Sequence, residues 1–200
     1  MIPVGPMPAI DWALMCDALE TYRKYGYTYI ETPWIVHRSA TLSTLPPDSA
    51  ACELTAQNPL HGNFHRYGDL TGSAEQGFVQ LLLDGFLAPG KWVSAGPCFR
   101  MEKKIDALHQ PYFFKVELMR LLAPGQTRWA LDHLADTLHD AMDCMSSLTK
   151  RAPEMVSTDQ GFDLEIDGIE VGSYGVRRHA NHVWIYGTGL ALPRISQACS

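Results

Sequence analysis

The chain has 200 residues, 46% of them apolar, and carries 16 Lys plus Arg against 22 Asp plus Glu for a net charge of −6. That length suits one domain with a sizeable core, spanning residues 1–200, and the acidic balance counts against a surface built to grip a polyanion, since neutralising phosphates dominates nucleic-acid affinity. No run of about 18 apolar residues occurs, and the opening MIPVGPMPAIDW lacks a basic segment followed by an apolar one, so a cytoplasmic protein without a membrane role is expected.

Residues 10–25 place Ile10, Ala13, Leu14, Leu19 and Tyr22 near helical spacing and end at Gly26, which predicts an amphipathic helix. The following YTYIETPWIV is rich in β-formers and contains Pro33, so a strand with an edge proline is expected. Residues 38–66 have little periodicity, and Pro46-Pro47 and Asn58-Pro59 mark them as loop. A loop that long in a compact domain tends to be functional, here as a cover for a site. A strongly apolar helix is predicted over residues 75–87, with Thr71 or Ser73 as its N-cap. Glu75 falls in its first turn, where the helix dipole favours an acid.

Residues 92–119, WVSAGPCFRMEKKIDALHQPYFFKVELM, read as two strands joined by a short charged loop. Because strand side chains alternate between faces, Arg100 and Glu102 share one face of the first strand, and Phe113, Lys115, Glu117 and Met119 share one face of the second. An arginine, a lysine, two glutamates and a ring converging on one sheet face fit a ligand that is both charged and aromatic, such as ATP. Ordinary cross-strand salt bridges on a surface hairpin are the competing reading.

A packing helix is predicted over residues 127–148 from Leu131, Leu134, Leu138, Met142, Met145 and Leu148, with His133 and His139 at its surface and Pro153 beyond its end. DLEIDGIEV alternates about Asp167-Gly168, a two-residue hairpin signal. The segment GTGLALPR, ending at Arg194, is glycine-rich. By itself such a segment means little. Lys103-Lys104 and Arg177-Arg178 are the local basic clusters, and solvated loop charge accounts for them as well as an RNA contact does. Cys16, Cys52, Cys98, Cys144 and Cys199 show no CxxC spacing and read as reduced thiols, mostly in the core.

Phe99-Arg100-Met101-Glu102, a six-residue gap, then His109, Phe113 and Glu117 at four-residue intervals resembles motif 2 of the class II aminoacyl-tRNA synthetases, in its phenylalanyl-type form. Four further segments are similar to that family in the same order. The helix and strand around Pro33 resemble motif 1, Ser73-Ala74-Glu75 resembles its TxE element, Glu170-Val171-Gly172-Ser173 resembles the seryl-type ExxS, and Gly187 to Arg194 resembles motif 3, with Ala191 where a third glycine would stand. The resemblance implies an α+β fold, an antiparallel sheet of six or seven strands flanked by helices, and a homodimer through the motif 1 region. It implies ATP contacts at Arg100, Glu102, His109, Phe113 and Arg194, with Arg100 and Arg194 catalytic. It further implies Mg²⁺ ligands at Glu170 and Ser173, and amino-acid contacts at Ser73, Glu75, Glu117 and Gly189. One carboxylate and one hydroxyl are sufficient protein ligands for Mg²⁺, which takes oxygen donors and keeps waters.

The implied activity is ATP-dependent activation of an amino acid as its adenylate. Attack of a carboxylate on the α-phosphorus crowds negative charge around one phosphate, which preorganised arginines are suited to stabilise. Two carboxylates in one small cavity, Glu75 and Glu117, are costly unless a cation joins them; an α-ammonium or Lys115 would serve. Only six residues follow Arg194, and no segment is left over for a tRNA-gripping domain. The expected acceptor is therefore something other than whole tRNA, such as a carrier protein, a metabolite or a modified nucleotide. A minimal synthetase or its core fragment, and a non-catalytic amino-acid-binding regulator, are the alternatives.

Overall fold

The computed structural model describes residues 9–45, 50–57, 64–102 and 104–199. Helix α1 (Trp12–Lys24) opens on Asp11, whose side chain accepts the Leu14 amide at 2.9 Å, and stops before Gly26 at φ +84°. The β-rich stretch after it does not form one strand. It splits into β1 (Thr28–Tyr29) and β2 (Ile35–Val36), with Pro33 between them, and each joins a different sheet. The crossing is pinned where Gly77 meets it: a Cβ at Gly77 would lie 2.7 Å from Thr32 Cβ, so only glycine admits this approach.

Residues 38–66, expected as loop, contain a short helix α2 (Arg38–Leu42) and two strands, β3 (Cys52–Gln57) and β4 (Phe64–Leu70), which pair with β2 in a three-stranded sheet. Buried Asp69 holds this sheet, with Arg38 at 3.3 Å and Arg66 also paired to it. β3, CELTAQ, does alternate apolar and polar residues, a period-2 signal that the loop expectation overlooked between its two proline-marked breaks. Pro46-Pro47 and Asn58-Pro59 lie outside the described residues.

Helix α3 (Ala74–Leu83) follows, capped by Ser73 and ended near Gly85 at φ +78°. Next come β5 (Gly90–Phe99), β6 (Tyr112–Leu121), a 3₁₀ turn at Pro124–Trp129 and α4 (Ala130–Thr149). Strands β7 (Glu154–Thr158), β8 (Gly161–Ile166), β9 (Ile169–His179) and β10 (His182–Ala191) lead into α5 (Arg194–Ala198). The β8–β9 turn has positive φ at both Asp167 and Gly168, the geometry of a two-residue hairpin.

The large sheet has the order β1-β5-β6-β10-β9-β8-β7, antiparallel throughout except for the parallel pair β1–β5. Helices α1 and α4 cover one face, burying Tyr22, Val116, Leu138, Met145, Tyr174 and Leu190. Helix α3 covers part of the other with Phe78 and Val79 against Met119 and Trp184. Two of the five cysteines, Cys98 and Cys144, are in the core, where burial pushes their thiols up to about 12 and about 11; Cys16 is exposed. His133 is half-buried rather than on the surface. Among the described residues no helix is long and apolar enough to cross a membrane.

Two bulges shape the site. In β10 the pairing with β6 slips between Thr188 and Leu190, leaving Gly189 unpaired. In β9 the pairing with β8 slips so that Leu164 meets Gly172 while Glu165 meets Glu170, leaving Val171 unpaired. Buried Tyr22 donates its hydroxyl to the Gly189 carbonyl at 2.9 Å, and Tyr174 donates to the Thr188 carbonyl. Burial raises both phenol pKa values well above the ordinary range, so both stay donors. The glycines of this strand face those rings: a Cβ at Gly187 would lie 2.6 Å from the Tyr174 ring, and one at Gly189 would lie 2.8 Å from the Tyr22 ring. Gly189→Ala is therefore expected to destabilise the fold by about 1–3 kcal/mol through overpacking. Denaturant unfolding with a midpoint equal to that of the parent would contradict this placement.

Candidate active site

A cavity of about 1050 Å³ opens on the α3 side of the sheet, bounded by β6, β9 and β10, the start of α3, the loop after β5, and the small sheet. Residues Thr41, Thr44, Leu45 and Cys52 of the 38–66 region line it, so that region does border the site. A narrower recess adjoins it, walled by Phe113, Leu192, Pro193 and Arg194. Arg100, Glu102, Lys115, Glu170 and Thr188 border both.

Arg100 and Glu102 lie just beyond the end of β5, in the loop rather than on the strand. The Arg100 amide donates to the Pro111 carbonyl at 2.9 Å, which keeps the two sides of the loop together for one residue past the ladder. Its guanidinium carbon sits 5.1 Å from the Phe113 ring centroid, and Lys115 Nζ sits 5.9 Å from it, distances at which a cation is attracted to a ring face. His109 is held by Asp106, whose Oδ1 lies 2.8 Å from its Nδ1 and accepts the Leu108 and His109 amides at 3.0 Å. These hydrogen bonds, that of His109 foremost, hold the Asp106 carboxyl well below the usual range. Gln197 of α5 donates to the Ala107 carbonyl at 2.7 Å, tying the loop to the residues after β10.

Glu117, from the middle of β6, is buried and fully engaged. Ser73 Oγ donates to it at 2.7 Å, the Ala74 amide donates to its other oxygen, and Lys115 Nζ lies 3.4 Å away. A carboxylate at a helix N-terminus meets unpaired amides and the positive end of the dipole, so Glu117 closes the start of α3. Ser73 Oγ in turn accepts the Glu75 amide at 3.2 Å.

Glu75 points the other way, across to β9 and β10. Its Oε1 accepts from Trp184 Nε1 at 2.7 Å and from Arg177 Nε at 3.0 Å. Burial raises its pKa, while Arg177 acts in the opposite direction. Each of the two carboxylates thus has its own internal cation, Arg177 for Glu75 and Lys115 for Glu117. Of the two cations expected to join them, an α-ammonium or Lys115, the structure places Lys115 beside Glu117, and Arg177 serves Glu75.

On β9, residues three apart would ordinarily face opposite sides of the sheet. The bulge at Val171 resets that alternation, and Glu170 and Ser173 both border the cavity. Glu170 pairs with Arg194 at 2.7 Å. Among the described residues no three His, Cys, Asp or Glu side chains cluster as a metal cage. Gly189 does not border the cavity; it faces Tyr22 on the helical side, and Thr188 takes the cavity-facing position. Closeness to a ligand is therefore not what makes that position a glycine.

Sequence reasoning passed over Arg177, Tyr186 and Thr188. Arg177 belongs to a dipeptide for which solvated loop charge and an RNA contact both stand open in the sequence, whereas it stands on β9 with its guanidinium 4.6 Å from the Tyr186 ring. Its even spacing from Ser173 along the strand was the signal that could have found it.

No protein-family profile matches the sequence. The serine–tRNA ligase of Salinibacter ruber is 28% identical over 193 residues, covering 82% of this chain and 40% of that protein. The serine–tRNA ligase of Mycoplasma mycoides is 31% identical over 170 residues, covering 74% and 37%. The chain thus spans about two fifths of the length of these curated relatives. Among solved structures, the cytoplasmic serine–tRNA ligase of Naegleria fowleri in complex with AMP matches 94% of this chain and 47% of its own, with a TM-score of 0.72 at 16% identity. The prolyl-tRNA synthetase of Giardia lamblia in complex with prolyl-adenylate matches 95% and 45%, with a TM-score of 0.74 at 11% identity. By its fold and its sequence relatives, the chain is a class II aminoacyl-tRNA synthetase-like core.

Proposed function

We propose that this chain is an adenylate-forming ligase that condenses an amino-acid carboxylate with ATP, releases pyrophosphate, and passes the aminoacyl group to an acceptor. The observation that carries the proposal is the convergence of Arg100, Lys115, Glu170, Ser173 and Thr188 on one cavity from separate strands and loops, beside the recess walled by Phe113 and Arg194. The named ligands of the Naegleria fowleri and Giardia lamblia structures, AMP and prolyl-adenylate, support it.

In this reading the substrate's own carboxylate oxygen attacks the α-phosphorus and pyrophosphate leaves, so no covalent enzyme nucleophile is needed. Arg100 stabilises charge developing at the α-phosphate, and positioning supplies much of the rest. Adenine stacks on Phe113, with Glu102 at its amino group and His109 toward the γ-phosphate. For that, Arg100 must leave the Phe113 ring it now covers. Arg194 likewise must exchange Glu170 for the terminal phosphate, which frees the Glu170 carboxylate. Glu170 and Ser173 suit Mg²⁺, and the ion when bound would neutralise phosphate charge, with nucleotide oxygens and waters completing its shell. Glu75 receives the α-amino group with its second oxygen, while Glu117 and Ser73 set the position of the helix that carries it.

For the acceptor, the net charge of −6 favours something other than whole tRNA. The curated relatives, serine–tRNA ligases, favour tRNA as a second reading. Transfer of labelled amino acid into a tRNA fraction, compared with transfer into protein and small-molecule fractions, separates the two. A homodimer through the motif 1 region is part of the proposal, supported by the exposure of Tyr29, Trp34 and Ile35 along that segment. Light scattering should give twice the chain mass at micromolar concentration; the monomer mass would remove this element.

Arg100→Ala is expected to lower amino-acid-dependent ATP–pyrophosphate exchange by about 3–4 kcal/mol in transition-state stabilisation, with the unfolding transition unchanged. Exchange within a few-fold of the parent would count against the assigned role.

A further inference from the structure

Arg177 is fixed in an unusual way. Its Nε is spent on Glu75 at 3.0 Å, and its guanidinium plane is backed by Tyr186 at 4.6 Å. Its side chain is 29% exposed and borders the cavity. Among the described residues, neither terminal nitrogen has a hydrogen-bond partner. A guanidinium anchored through one edge and one face presents its remaining donors in a set direction, at little entropic cost on binding. Those donors need an acceptor once a ligand excludes water, because a half-buried donor left unpaired is penalised.

Glu75, the residue assigned above to the α-amino group, is the direct neighbour of Arg177. A group bound to Arg177 therefore lies one side chain away from the amine. From these placements we infer that Arg177 is a specificity-determining residue, and that the amino acid taken by this site carries an oxygen acceptor on a short side chain. This inference rests on the activation reading and deepens it. Hydroxyl, carboxamide and carboxylate side chains share the required chemistry. An apolar side chain of similar size would strip water from the guanidinium without replacing it.

The test is calorimetric binding of amino acids in matched pairs, with a non-hydrolysable ATP analogue present. Serine is compared with alanine, and asparagine and aspartate with 2-aminobutyrate, on the parent protein, Arg177→Lys and Tyr186→Leu. Arg177→Lys keeps a cation beside Glu75 but loses the fork; Tyr186→Leu removes the ring that backs it and serves if the first variant does not fold. The expected result is a preference of roughly 10- to 100-fold for one oxygen-bearing member in the parent, from a charge-assisted hydrogen bond. Both variants should erase that preference while affinity for the ATP analogue stays unchanged. Which oxygen-bearing member binds identifies hydroxyl, carboxamide or carboxylate. Serine binding no better than alanine together with asparagine and aspartate binding no better than 2-aminobutyrate, or a preference untouched by both variants, overturns the role of Arg177 and leaves activation standing. Absence of binding by every amino acid overturns both.

Discussion

The Glu117 carboxylate is the junction on which the site depends. It belongs to the central part of β6, yet its two oxygens are taken by Ser73, by the Ala74 amide and by Lys115. A strand residue therefore sets where helix α3 begins, and with it where Glu75 points. Because Glu117 is buried, removing it would leave Lys115 and the helix start without their anion, a loss on the order of 3–5 kcal/mol by analogy with broken buried pairs. The strand that carries Phe113 and Lys115 and the helix that carries Glu75 are thereby joined as one unit.

The opposite side of the sheet supplies the second constraint. Tyr22 and Tyr174 reach through from the helical core to the carbonyls of Gly189 and Thr188. They hold the bulge that follows Thr188, a residue that faces the cavity in step with Tyr186 and whose hydroxyl lies 3.4 Å from Lys115 Nζ. Stability and site geometry are coupled here, since the same packing that fills the core also aims the strand. On the cavity side, by contrast, the cations rest on partners they would have to leave: Arg100 on Phe113, and Arg194 on Glu170.

Much of this was legible from residue order. The long helices, the β8–β9 hairpin and the alternation along β6 follow from apolar spacing and turn chemistry, and Arg100, Glu102, Phe113 and Arg194 border the two openings, Arg100 and Glu102 from the loop after β5 rather than from the strand. What the sequence concealed was local. A glycine within a strand, such as Gly172 or Gly189, marks where a bulge can form but not which residue it leaves unpaired, so the joint placement of Glu170 and Ser173 on one face was not derivable from their spacing. The reason for Gly187 and Gly189 was likewise hidden, because it lies in rings contributed by Tyr174 and Tyr22 from other elements. Arg177 was hidden by the same cause: its partner, Glu75, is far away along the chain and adjacent only after folding.

The central claim is that this cavity joins a carboxylate to the α-phosphate of ATP. Single-turnover incubation of the protein with α-labelled ATP and a mixture of amino acids, followed by chromatographic separation of the nucleotides, tests it most directly. The account predicts a labelled aminoacyl-adenylate, retained on the protein, that forms only when amino acid is present. ATP bound but unconverted under every amino acid, or label passing to AMP or ADP at the same rate without amino acid, would contradict it.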